Sequence, residues 1–140
     1  MRLSFEHNTT LRVRYGETDQ MGYCYYGNYA MYFEVGRVEA LRSLGMSYKS
    51  LEDRGVMLPV SHFSVDYKSP AIYDDELTIT TKISEMRGPR LKFDYTILKD
   101  ERLIATATTT LVFVSKDNMR PIQPPQDFIQ LIEQHEISAD

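Results

Sequence analysis

Residues 15–39, YGETDQMGYCYYGNYAMYFEVGRVE, change their pattern halfway along the segment. An acidic turn around Asp19 is followed by Gly22 and Gly27, and an aromatic stretch then takes on a helical period. A carboxylate therefore stands shortly before a helix start, where unpaired backbone N–H groups and a partial positive charge can stabilise a developing oxyanion. This order predicts a reactive or binding group at the turn.

The helical period extends over residues 28–44, where apolar side chains recur at steps of three and four residues. Gly45 is expected to end this long helix, and Asn28 or a neighbour to cap its start. Gly36 removes a side chain where the helix could press closely against a sheet. The apolar positions are Tyr29, Tyr32, Phe33, Gly36, Ala40 and Leu44.

Alternating apolar and polar residues predict strands on either side of the helix. Residues 9–15 form one candidate, with Arg12 and Arg14 on its solvated face. Four more follow at about residues 57–68, 76–86, 91–99 and 103–115, and the breaks at 88–89 and 99–101 are short enough for hairpins. Residues 126–135 resemble a short terminal helix. One helix against a curved five-stranded antiparallel sheet predicts an α+β domain, whose exposed sheet edge favours a homo-oligomer.

Composition excludes some classes of function. The 140 residues are expected to form one domain, 1–140, and a net charge of -4 provides no global attraction to nucleic acid or anionic lipid. A single cysteine, Cys24, cannot form an internal disulfide, which favours a reducing cytoplasm. No apolar run approaches the ~20 residues that cross a bilayer, so we expect a soluble protein with no membrane partner.

Asp19 has two interpretations. It could be an ordinary turn residue, since aspartate is common where a strand gives way to a loop. It could also attack a substrate or orient water, because an unperturbed aspartate is ionised at neutral pH. Glu17, two positions earlier, is a weaker candidate that we expect to be solvated.

The residues around Asp19 are rich in tyrosine. Tyr23, Tyr25, Tyr26 and Tyr29 could pack in the core and interface, or they could form a wall around an acyl group. Cys24 lacks a histidine at any local spacing typical of a nucleophile pair, which predicts a small buried residue. The three histidines are scattered, so neither a metal site nor a cofactor is expected. Basic residues surround the break at 88–89; they could solvate strand ends or bind a phosphate-bearing carrier. The latter candidates are Arg87, Arg90 and Lys92.

The segment RVRYGETDQMGYCYYGNYAMYFEVGRVEALRSLG resembles the entry segment of hotdog-fold acyl-CoA thioesterases of the 4-hydroxybenzoyl-CoA type. VMLPVSHFSVDYKSPAIYDDELTITTKI is similar to that family's second and third strands, including the Asp66 and Tyr67 pair and the break at Pro70. The resemblance covers nearly the whole chain. It implies a hotdog fold, in which a five-stranded antiparallel sheet wraps a long central helix, with dimers as the minimal unit and often tetramers.

The resemblance also implies roles for individual residues. Asp19 matches the family's catalytic aspartate, as nucleophile or general base. Tyr26 falls where the helix start offers a backbone N–H to the thioester carbonyl, and Gly27 lies beside it. Many relatives have histidine at the position of Tyr26, and tyrosine leaves the backbone role intact.

The implied activity is hydrolysis of an aryl or short-to-medium-chain acyl-CoA, with Tyr25 and Tyr29 near the acyl group and the basic residues near the coenzyme A phosphates. Two alternatives remain open: an acyl group carried by acyl carrier protein, or acyl-CoA binding without turnover, because a fold alone does not determine a function. A hotdog dehydratase is disfavoured, because no histidine lies between His7 and His62.

Overall fold

The computed structural model describes residues 2–139 and confirms the expected α+β class. The strands are β1 (Arg2–Arg12), β2 (Val56–Met57), β3 (Val60–Tyr67), β4 (Glu76–Arg87), β5 (Arg90–Lys99), β6 (Arg102–Val112) and β7 (Val114–Ser115). The helices are α1 (Tyr29–Ser43), α2 (Tyr48–Asp53) and α3 (Gln126–Ala139). Two 3-10 turns, Tyr15–Glu17 and Tyr26–Asn28, lie on either side of the acidic turn. None of the described helices is long and apolar enough to cross a membrane.

Five strands form one antiparallel sheet in the order β1-β4-β5-β6-β3. The two predicted hairpins join β4 to β5 and β5 to β6, where alternating residues bury one face of each strand. Helix α1 lies across this face, and Phe33 packs against Phe63 of β3 and Tyr95 of β5. The chain leaves α1 at Gly45, whose φ of +86° and N–H bond to the Arg42 carbonyl end the helix as expected.

The first strand differs from its prediction at both ends. It begins at Arg2 and stops at Arg12, since polar residues on an edge strand hide the alternation that marks a strand. Tyr15, expected on its buried side, lies in a 3-10 turn and is 78% exposed. The strand predicted at 57–68 is split at Leu58 and Pro59, because proline supplies no N–H to a ladder.

Helix α2 and a second small sheet were not predicted. Ser47 caps α2 by accepting a hydrogen bond from the Ser50 N–H, a local signal in a stretch too short for a helical period. Strands β2 and β7 pair Val56 with Ser115, so the long strand predicted at 103–115 divides at Phe113 between two sheets.

Gly36 lies where α1 meets the sheet most closely. A Cβ at this position would lie 2.5 Å from Thr81 Oγ1 and 2.8 Å from Ile79 Cγ2, both on β4. The expected close approach is therefore confirmed, and it sets the distance between helix and sheet.

We predict that Gly36→Ala lowers the free energy of unfolding by about 1–3 kcal/mol, because the added methyl overpacks this contact. The intrinsic helix propensity of alanine would act in the opposite direction. Urea unfolding monitored by circular dichroism measures the change. Gly16→Ala is the control, since a Cβ there meets nothing within 4 Å; equal or higher stability of Gly36→Ala would contradict the prediction.

Candidate active site

Asp19 shapes its own turn and also faces a cavity. Its Oδ1 accepts hydrogen bonds from the N–H groups of Met21 at 2.9 Å and Tyr23 at 3.3 Å, while its backbone N–H donates to the Tyr23 carbonyl. Gly22, with a φ of +82°, closes the turn onto the Asp19 carbonyl. Within residues 2–139 no group donates to Oδ2. One oxygen thus holds the turn, and the other is available for chemistry.

The start of α1 leaves two backbone donors uncommitted. The Tyr25 N–H donates to the Glu17 carbonyl at 2.8 Å, and the Asn28 N–H donates to the Tyr25 carbonyl at 2.9 Å. In the described part of the chain, no backbone carbonyl accepts from the N–H of Tyr26 or Gly27. These are the two N–H groups that the sequence singled out as candidates for polarising a carbonyl.

Asn28 does not use its side chain as a helix cap, contrary to one expectation. Its backbone already has helical angles, and its Nδ2 donates to the Glu17 carbonyl at 2.8 Å. The side chain therefore points back towards the acidic turn and ties the helix start to it.

Glu17 is buried, so the expectation that it is solvated was wrong. Only 8% of its surface is exposed, and its carboxylate accepts hydrogen bonds from the Tyr32 hydroxyl at 2.8 Å and from the Arg14 backbone N–H and guanidinium. Burial alone would raise its pKa, but the hydrogen bonds from Arg14 and Tyr32 outweigh burial and hold the pKa below its usual value. Glu17 is therefore a buried anion that joins the end of β1 to the first turns of α1.

Cys24 is buried as expected. Its Sγ donates to the Tyr32 hydroxyl at 3.2 Å, and burial is the main cause that raises the pKa of its thiol. A protonated, enclosed thiol suits packing and not attack. Among the residues that the structure describes, no three His, Cys, Asp or Glu side chains converge as metal ligands would.

A cavity of about 280 Å³ lies between the acidic turn, the start of α1 and the end of β3. Asp19 lines it together with a wall of tyrosines: Tyr23, Tyr26, Tyr29 and Tyr67. Tyr29 is buried, and burial raises its pKa to about 12, so its hydroxyl stays protonated at neutral pH. The structure thus brings together Asp19, Tyr26 and Tyr29.

Tyr25 and Gly27 lie beside this cavity without lining it. The Tyr25 ring packs on the Tyr26 ring at 4.8 Å between centroids, and its edge occupies the space where a Cβ on Gly27 would lie. Gly27 instead lines a second cavity of about 440 Å³ along α1 and β3.

Tyr67 is a site residue that was not among the sequence candidates. Its hydroxyl donates to the Tyr26 carbonyl at 3.1 Å, and its ring meets the Tyr29 ring at 5.1 Å. The Asp66 and Tyr67 pair ahead of Pro70 marked this position in the sequence, but only the pairing of β3 with the rest of the sheet places it against the helix start.

The basic candidates gather elsewhere. Arg87, Arg90 and Lys92 line a cavity of about 180 Å³ at the β4–β5 hairpin. The first residue of β4, Glu76, pairs with Arg12 shortly before the acidic turn, whereas the basic cluster surrounds its last residue, Arg87. At about 3.4 Å per residue, the twelve residues of this strand extend over roughly 37 Å. Within one chain, the basic cluster and Asp19 are therefore at opposite ends of the sheet.

Comparison with known proteins places this geometry in a family. The model of the Thioesterase-like superfamily matches residues 13–132. Acyl-CoA thioester hydrolase YbgC of Escherichia coli O6:H1 is 35% identical over 128 residues, which cover 87% of this chain and 96% of that protein.

Two solved structures show the same architecture. The DHNA-CoA thioesterase from Staphylococcus aureus superposes with a TM-score of 0.89 at 30% identity, covering 96% of this chain and 93% of that one. The 4-hydroxybenzoyl-CoA thioesterase from Pseudomonas sp. strain CBS-3 gives 0.82 at 25% identity, with coverage of 94% and 99%. The chain belongs to the thioesterase-like superfamily. It is a hotdog-fold enzyme of the thioester hydrolase class, as the resemblance implied.

We predict that Glu17→Gln destabilises the fold by about 1–2 kcal/mol at pH 7, because it breaks the charge-assisted bonds to Arg14. Folding lowers the pKa of Glu17. The stability that the ionised carboxylate contributes is therefore fully present above its unfolded-state pKa, near ~4.3, and is lost as the pH falls through its folded-state pKa. Denaturant titrations at pH 7 and about pH 3 should show the difference from wild type shrinking in acid. Glu101→Gln, in the exposed β5–β6 turn, is the control; a difference independent of pH would contradict the assignment.

Proposed function

We propose that this protein hydrolyses aryl or short-to-medium-chain acyl-CoA thioesters to the free acid and coenzyme A. The observation that carries the proposal is the Asp19 carboxylate, with one oxygen free, facing the same cavity as the start of α1. The proposed donors to the thioester carbonyl are the uncommitted N–H group of Tyr26, which lines this cavity, and that of Gly27 beside it. We place this activity in a single domain. The buried free thiol of Cys24 supports a reducing compartment, the cytoplasm.

Two reaction courses fit these groups. In one, Asp19 Oδ2 attacks the thioester carbon, the C–S bond breaks, and the coenzyme A thiolate leaves and takes up a proton. Water then hydrolyses the mixed anhydride. In the other, Asp19 accepts a proton from water as that water adds to the carbon; the C–S bond then breaks, and the leaving coenzyme A thiolate takes up that proton, which regenerates the Asp19 carboxylate. In both, negative charge develops on the carbonyl oxygen, where each well-placed N–H donor is worth about 3 kcal/mol.

The tyrosine wall supports an acyl group with a flat or short apolar body. Tyr23, Tyr26, Tyr29 and Tyr67 line a cavity of about 280 Å³, which suits an aromatic ring or a short chain better than a long one. Two similar solved structures are named as thioesterases of DHNA-CoA and 4-hydroxybenzoyl-CoA, which both carry an aromatic acyl group.

A homodimer would complete the site. Strand β3 ends the sheet and its residues are almost all exposed, so its outer edge can pair with a second copy. In an antiparallel β3–β3 pair, the Tyr67 end of one chain meets the Val60 end of its partner. From there the partner's sheet continues through Leu111 of β6 to Leu91 of β5, next to the basic cluster. Two strand spacings of about 4.8 Å bring that cluster within reach of a coenzyme A bound at Asp19.

We predict that Asp19→Asn lowers kcat by at least about 100-fold, because asparagine can still accept the turn's N–H bonds but cannot attack or take a proton. Free-thiol release from aryl and aliphatic acyl-CoA thioesters of graded length measures it, beside the same acyl groups on acyl carrier protein. Wild-type turnover by the variant would refute the role of Asp19. Hydrolysis of carrier-protein thioesters alone, or binding of acyl-CoA without turnover, would refute the proposed function.

We predict that Arg90→Ala with Lys92→Ala raises KM for acyl-CoA about tenfold or more and leaves KM for the corresponding acyl-pantetheine unchanged, since pantetheine lacks the nucleotide phosphates. Lys49→Ala on α2 is the control. Mixing this variant with Asp19→Asn should restore turnover with a low KM. In the heterodimer, one of the two sites then combines Asp19 of one chain with the intact basic cluster of the other. Absence of that recovery would contradict the contribution in trans. Sedimentation distinguishes a dimer from the tetramer that the resemblance also allows.

A further inference from the structure

Helix α1 carries two opposite charges towards the cavity of about 440 Å³ beside β3. Glu34 and Arg37 lie three residues apart on this face, about 4.5 Å along the helix axis. The cavity is otherwise mainly apolar, and its exposed walls include Met31 of α1 and Val60 and Phe63 of β3. It therefore combines an uncovered apolar surface with one carboxylate and one guanidinium.

Arg37 is buried without a carboxylate. Only 9% of it is exposed, its Nε donates to the Tyr48 hydroxyl at 3.1 Å, and the Tyr95 hydroxyl is also close. Across residues 2–139 no acidic oxygen lies within 4.0 Å of its guanidinium, and Glu34 pairs with no cation. Arginine stays charged in proteins, and a buried charge without a counter-charge is strongly destabilising. The cavity thus lacks an anion at Arg37 and a cation at Glu34.

The symmetry of a second copy supplies both. Phe63 is the fourth of the eight residues of β3, and it contacts Phe33, which directly precedes Glu34 in the first half of α1, with 6.1 Å between ring centroids. A two-fold axis through the centre of an antiparallel β3–β3 pair therefore passes close to the segment of α1 that carries Glu34 and Arg37. Two copies of this helix then face each other in opposite directions, so that position 34 of one lies opposite position 37 of the other.

We propose that Glu34 and Arg37 form two reciprocal ion pairs across the two-fold axis of a homodimer, and that the second copy fills this cavity. The inference rests on the dimer of the proposed function and names the polar contact at its centre. The apolar walls at Met31, Val60 and Phe63 are covered at the same time. A surface of this kind is self-complementary in charge, which fixes the register of the two chains.

Charge reversal tests the pairing. Glu34→Lys alone and Arg37→Glu alone each place two like-charged contacts in their homodimer, and we expect the dissociation constant to rise about 100-fold or more. A 1:1 mixture of the two variants restores both ion pairs. Sedimentation should then show heterodimers at the protein concentrations at which the wild type is dimeric. The double variant E34K/R37E carries the reversed pairs within one homodimer and should also assemble, which provides a test if Arg37→Glu does not fold alone.

Glu39 and Arg42 are the matched control, since they also lie three residues apart on α1. They form an exposed ion pair with 3.9 Å between the carboxylate oxygen and the guanidinium nitrogen. Glu39→Lys and Arg42→Glu should leave assembly unchanged. The proposal is overturned if the Glu34 and Arg37 variants assemble like wild type, if their mixture shows no recovery, or if wild type is monomeric. The Glu34 and Arg37 variants could instead assemble normally and change only the KM for acyl groups with a terminal carboxylate. Arg37 would then bind substrate, and this result would also overturn the proposal. Thioester hydrolysis by wild type, measured in parallel, decides the proposed function independently.

Discussion

The buried carboxylate of Glu17 is the interaction on which the geometry of the site depends. Its side chain accepts hydrogen bonds from Arg14 after β1 and from Tyr32 in α1, and its backbone carbonyl accepts from Tyr25 and Asn28 at the helix start. Four points of the chain are thereby fixed to one residue. Because Asp19 follows only two residues later, its position relative to the free N–H groups of Tyr26 and Gly27, just before α1, follows from this arrangement.

The main elements could be predicted because their signals are local. The long helix, its end at Gly45 and the two hairpins follow from spacing and turn chemistry within a few residues. The close approach at Gly36 was also visible, since a glycine on the apolar stripe of a helix leaves room for a neighbouring element to come near the backbone. Asp19 lies in the predicted turn and also lines a cavity, so both of its interpretations remain compatible with the structure.

The rest depended on contacts that sequence spacing does not reveal. Glu17 and Tyr32 are fifteen positions apart and meet only after β1 and α1 have packed, so an acidic residue in a polar turn looked solvated. Tyr67 reaches the helix start through the pairing of β3 with β6. The basic hairpin appeared to belong near Asp19, but the length of β4 separates the two within one chain.

The two edges of the sheet differ in a way that limits how large an assembly can grow. At the β1 edge, Glu136 of α3 takes the Ser4 backbone N–H at 2.6 Å, and His135 packs against Phe5. Among the described residues, no helix covers the β3 edge in this way. A chain that offers one open edge can add one neighbour by strand pairing and then has none left to offer. Strand pairing through β3 would therefore stop at two chains, without the hazard of fibres.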